Sequence, residues 1–395
     1  MGAGPTRRFD QFGHFGQLVY PDSVSPAHTG TTPASAAGRG PYLVSRAYDL
    51  GWFAAPGLIA VLLSLWLVKR GPARESDELV FWLVSVVAID VAHVYASLYR
   101  TYLDPEARRL HGKRLWIVPA LCAWFGLLAH LASPAVFWTL LAYLAVFHFI
   151  KQHEGFAGLY LKAEGASASD RRATRAAIWA VTLGPVLHWH AHLPRNFAWF
   201  VEGDFLRGLS PQLGSAALWL QLPVLAWWLL RRGQAAARGR VNPMLWWMVL
   251  LPALTWNMGM VWFNDDRVFT LTNVMLHGVP YLALVWVTGG RQSAERIAGA
   301  SSTPRPLLWV VAVYYGLLLV LAFSEEALWD RLVWHDHPQL FGSTTALEGP
   351  ESLTMALVVA LLTVPQATHY ILDRHIWRPG PTNPQLARQL GFDRR

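Results

Sequence analysis

The chain has 395 residues, 53% of them hydrophobic and 15% charged, with a mean hydropathy of +0.27 and a net charge of +8. A soluble domain carries about 25% charged residues, so this chain holds more apolar side chains than a water-facing fold can hide. Its single cysteine, Cys122, excludes an intramolecular disulfide and a thiolate metal cluster. The basic residues lie between apolar segments, where they meet lipid headgroups and do not form a nucleic-acid surface.

The expected fold is therefore all-α: a polytopic membrane protein of about ten transmembrane helices. Residues 1–45 are rich in Gly, Pro, Ser and Ala and contain no apolar run. They read as a disordered cytoplasmic tail and lack the apolar core of a signal peptide. A membrane-spanning helix needs about 20 apolar residues. Segments 49–68, 79–98, 115–132, 135–156, 174–193, 213–230, 243–262, 268–287, 306–323 and 353–372 meet that need. They define one transmembrane domain over 46–378, followed by a cytoplasmic tail over 379–395. Ser133 and Pro134 make a tight hairpin between the third and fourth segments, and 163–172 is the most flexible internal connection. With the N-terminus inside, the cytoplasmic segments hold 25 Lys and Arg against 7 in the external loops. That bias predicts both termini inside, in a bacterial-type inner or plasma membrane.

Ionisable groups at membrane depth are costly and are read as functional. His93, His148, His277 and His369 lie far along the even-numbered segments, all running the same way, with His277 about one helical turn shallower than the rest. Asp90 precedes His93 by three residues and Asp373 follows His369 by four; Gln152 follows His148 by four. These spacings put each pair on one helix face, where a carboxylate orients a metal-bound imidazole through its second ring nitrogen. The four histidines are expected to form one metal site, with Asp90, Gln152 and Asp373 supporting it.

A second polar layer is expected at the outer ends. It comprises His188 and His192, Asp265 and Asp266, and His335 and His337, a set whose residue types can bind zinc. Arg100, Lys151, His153 and Glu154 are candidate contacts at the inner face, where Arg100, with Tyr102 and Asp104, and Lys151 at a similar height are placed to meet an anionic headgroup.

Imidazole ligands suit iron and zinc. The expected function is a membrane metalloenzyme, a non-haem iron oxygenase or oxidoreductase, acting on a lipid-soluble isoprenoid, carotenoid or acyl chain. Paired axial histidines would also serve a haem electron carrier. Intramembrane polar groups would also line a transporter, which would be expected to carry repeats and broken helices.

Overall fold

The computed structural model describes residues 41–72, 74–299, 305–343, 349–380 and 383–392. The tail expected over 1–45 lies almost wholly outside them. Among the described residues the fold is all-helical, with one isolated bridge between Gly380 and Asn383.

Among the described residues eight helices are long and apolar enough to cross a membrane: α1 (Arg46–Arg70), α2 (Glu75–Arg100), α3 (Pro105–Ala132), α4 (Pro134–Glu164), α6 (Pro211–Ala237), α7 (Pro243–Trp262), α8 (Asp266–Ile297) and α9 (Leu307–Trp334). A ninth is a bent pair, α11 (Leu353–Leu362) and α12 (Val364–Ile376), which meet at 42°. Pro365 stands in the first turn of α12, lacks an amide hydrogen and crowds the carbonyl one turn earlier, which accounts for the bend. Between these helices lie α5 (Ala168–Ala191) and the short α10 (Pro338–Phe341). A further short helix, α13, spans Pro384–Gln389. The fifth expected segment is thus a helix, but the polar run at its start keeps α5 below the hydropathy of a span.

Helix boundaries follow from local chemistry. Proline occupies the first turn of α3, α4, α6 and α7, where a missing N–H costs nothing. Asp104, Ser210, Asn242 and Ser352 accept hydrogen bonds from first-turn amides, each worth about 1 kcal/mol. The connection expected to be flexible, 163–172, is largely helix. Ser167 and Asp170 form a capping box, and Asp170 is buried against Arg231 at 2.9 Å and Arg240 at 3.3 Å. Polar composition concealed an ion-paired corner.

The helices sort into a centre and a rim. Of the most apolar stretch of α8, 78% is buried, against 11% for α3. Trp116, Trp124 and Phe125 of α3 and Trp219 of α6 are among the large apolar side chains on the outside, as a lipid-facing surface requires. Of the final segment, the described residues 383–392 pack on this body: Leu386 and Leu390 are buried in the main core.

Two irregular stretches shape the interior. Leu83–Val91 of α2 is a widened π-helical run that leads directly to His93, and such runs concentrate at functional sites. In α8 the helix breaks at Thr288 and Gly289; Gly289 has φ +125°, a conformation open to glycine and few others. Arg100 donates to the freed Thr288 carbonyl and to Gln389 Oε1 at 3.1 Å, with Asp104 at 3.9 Å. Arg100 is therefore a buried brace, not the surface contact its place in the chain suggested.

Candidate metal centre

Four helices deliver one histidine each to a common point: α2 His93, α4 His148, α8 His277 and α12 His369. Their side chains offer ligand atoms that all lie within 4.8 Å of one another. The residues are 2%, 5%, 0% and 0% exposed. The rings close a cycle, edge to face. Centroids are 4.6 Å apart for His93 and His277, 5.1 Å for His277 and His148, 4.7 Å for His148 and His369, and 5.1 Å for His369 and His93.

The close approach of α2 and α8 has a specific cause. Gly278 follows His277, and a Cβ there would lie 2.8 Å from Ile89 Cγ2 and 3.2 Å from the Ile89 carbonyl oxygen. Its absence lets the α2 backbone reach α8 and brings His93 to His277. On the opposite side, Gln152 Nε2 donates to the His277 carbonyl at 2.8 Å, tying α4 to α8 at the level of the cluster.

Carboxylates flank the ring as the spacing predicts. Asp90 Oδ1 is 3.5 Å from His93 Nδ1. Asp373 serves two ligands: Oδ1 is 3.6 Å from His369 Nδ1, and Oδ2 is 3.9 Å from His148 Nε2. Tyr281 donates to Asp373 Oδ1 at 2.7 Å, which fixes the carboxylate between the two imidazoles. Phe149 stacks on His277 at 3.6 Å and 6°, and Tyr370 on His148 at 4.4 Å and 28°. Tyr281, Phe149 and Tyr370 were not anticipated as site residues. Their positions held the clue: Tyr281 is one turn after His277, and the other two adjoin His148 and His369 in sequence.

A metal ion is the occupant this chemistry fits. Seven of the eight ring nitrogens of the four histidines are buried without a hydrogen-bond partner. Each such group costs roughly 1–3 kcal/mol, so seven cost on the order of 10 kcal/mol, comparable with the whole net stability of a typical domain. Four lone pairs directed at a shared ion remove much of that penalty. For nitrogens about 2.0–2.1 Å from a common ion, neighbours stand roughly 3.0–3.4 Å apart and opposed atoms about 4.2 Å. The 4.8 Å limit lies within a small side-chain adjustment of that range.

The remaining expected contacts fall elsewhere. His153 points away from the cluster, but not toward water: it is buried and accepts from Trp256 Nε1 at 3.2 Å. Glu154 gathers Lys151 at 2.7 Å, Arg175 at 2.7 Å and Trp179 Nε1 at 3.0 Å, clamping α4 to α5.

The outer layer does not converge. Among the described residues, the inner histidines are the group of three or more ligand-type side chains that meets at ligand distance. His188 and His192 pack ring on ring at 4.0 Å, and His192 Nδ1 bonds the His188 carbonyl. Asp265 is held by Arg267 at 2.6 Å. His337 stacks on Trp82 at 4.0 Å and lies 3.4 Å from Asp330, while His335 adopts φ +61° at the end of α9. Local partners hold His192, Asp265 and His337 separately, while His188 Nδ1 is buried without one; among the described residues the outer set does not meet as a metal-binding group.

A cavity of about 440 Å³ adjoins the centre. Phe149, Tyr370 and Asp90, which stand against the histidines, line it together with Asp266, Asp336 and His337. No protein-family model, curated protein or solved structure matches this chain, so function has to be read from the site.

Proposed function

We propose that the chain is an integral-membrane metalloenzyme in which His93, His148, His277 and His369 hold one transition-metal ion, iron before zinc. We propose further that it is an oxygenase or oxidoreductase for a lipid-soluble substrate of the isoprenoid, carotenoid or acyl type. The observation that carries the metal reading is the convergence of four buried imidazoles with unpartnered nitrogens. All-imidazole donors suit iron and zinc, and the lack of thiolates weighs against copper(I) and iron–sulfur clusters. An ion so held supplies Lewis acidity and, for iron, electron transfer. The protein's part is to hold the imidazoles in one orientation, through Asp90 on His93 and Asp373 on His369 and His148, and to keep bulk water from a site walled by Phe149 and Tyr370. A haem fits poorly. The four ligand atoms crowd within 4.8 Å, which leaves no slot for a macrocycle between opposed rings.

Elemental analysis of the purified protein tests this. About one iron or zinc per chain is expected, lost on chelation and regained on reloading. A correctly folded protein that neither carries nor takes up metal would remove the basis of the proposal.

The topology is proposed with it: both termini cytoplasmic, α5 crossing with the other nine spans, and the loops at 263–267 and 332–337 external. In a Cys122→Ser background, single cysteines at 265 and 335 should react with an impermeant thiol reagent on intact cells. A cysteine within 163–172 should react only after permeabilisation; labelling it from outside would overturn this arrangement.

A further inference from the structure

We infer that the cavity beside the four histidines receives a protonated amine carried on an apolar body, which narrows the substrate class to amphiphilic amines. That this ligand is a substrate rests on the proposed metalloenzyme; that the cavity binds it does not.

Charge is the first argument. The chain as a whole is +8, yet six carboxylates and no Lys or Arg line this cavity: Asp90, Asp266, Glu325, Glu326, Asp330 and Asp336. Some already have partners. Asp330 Oδ1 accepts from the Asp336 and His337 amides, and Glu325 accepts from Tyr95 and Trp329. Glu326, which lies among Glu325, Asp90 and Asp330, has no hydrogen bond or ion pair among the described residues. Carboxylates gathered in a partly desolvated space favour a positive guest.

The second argument is independent of charge. Asn273 lines the same cavity and is 4% exposed. Its Nδ2 donates to the Phe269 carbonyl at 2.8 Å, which identifies the other atom as oxygen, and that Oδ1 is buried with no donor. An unpaired buried acceptor calls for an N–H or O–H, and a quaternary ammonium has none. The walls complete the description. Trp82, Trp138, Trp199, Trp329 and Trp334 present faces that suit both apolar packing and a nearby cation. About 440 Å³ is the size of a small-molecule pocket.

The test is isothermal titration of the full-length protein in non-ionic detergent with three probes of one length: 4-phenylbutylamine, 4-phenylbutanol and 4-phenylbutyrate. The amine should bind at least about tenfold more tightly than the alcohol, as expected of a charge-assisted hydrogen bond, and the carboxylate should not bind. Glu326→Gln should weaken the amine severalfold and leave the alcohol unchanged, whereas Asn273→Leu, which removes an acceptor open to N–H and O–H alike, should weaken both. Alcohol and amine binding alike would overturn the inference on the wild-type protein alone, whether or not either variant folds. Repeating the titration on chelator-treated protein separates the two readings. Amine selectivity in a protein that never holds metal would leave this inference standing and remove the metalloenzyme. Metal without amine selectivity would do the reverse.

Discussion

His369→Ala is expected to leave the protein without metal at matched expression and fold. His369 is wholly buried on α12 and contacts the rings of both His93 and His148. Removing it takes one of four donors and opens the cycle. Asp373→Asn is expected to weaken metal affinity by about 10–100-fold without abolishing it, because it preserves shape and an acceptor but loses the charge that orients two imidazoles. His153→Ala should leave metal content near normal while lowering thermal stability, since it leaves the buried Trp256 N–H without its acceptor, a loss of about 1–3 kcal/mol. Metal per chain and the unfolding temperature of the three variants supply the test. Equal retention in all three would make His369 a packing residue, and metal loss confined to His153→Ala would place the centre elsewhere.

Gly278→Leu should cost nearly as much metal, although residue 278 offers no ligand atom. A Cβ at this position sits 3.6 Å from His93 Nδ1 as well as 2.8 Å from Ile89 Cγ2, so a branched side chain has to push α2 off α8. His93 would then leave the cycle. Gly278→Ala is the graded case: the Ile89 methyl can turn aside, but the Ile89 carbonyl at 3.2 Å cannot. Overpacking of this kind costs about 1–3 kcal/mol. Metal content is expected to fall in part with Ala and by more than about tenfold with Leu. Gly155→Ala on α4 is the control, with nothing within 4 Å of its Cβ. Full metal occupancy in Gly278→Leu would show that α2 and α8 need not touch for the centre to form.

The helices and the four histidines were legible because both signals are strong along one dimension. An apolar run of membrane length announces itself, and an imidazole inside it is conspicuous. Asp90 and Asp373 were legible because their partners lie a helical turn away on the same helix. What crosses between helices was not. Tyr281 reaches Asp373 from α8 to α12, and Phe149 covers His277 from α4; neither residue is unusual in an apolar segment. The outer histidines misled because nearness in sequence and a shared depth do not make a common site when Arg267, Asp330 and backbone carbonyls are closer. Glu325 and Glu326 are a different omission. Two adjacent carboxylates immediately after the apolar run 306–323, still inside α9, were visible in the sequence, and the cost of placing them so near membrane depth was reason enough to ask what they face.

The order of the ligands along the chain has a consequence for biosynthesis. His93, His148 and His277 enter the membrane long before His369, the donor that closes the ring and lies in the last membrane helix. At about 5–20 residues per second, the ring stays one imidazole short for on the order of ten seconds after His277 is made. Metal can be captured fully only once the bent pair α11 and α12 has docked. If the proposed metal is bound, its loading would be a late step in maturation, because a chain that ends before α12 leaves His93, His148 and His277 without the fourth imidazole.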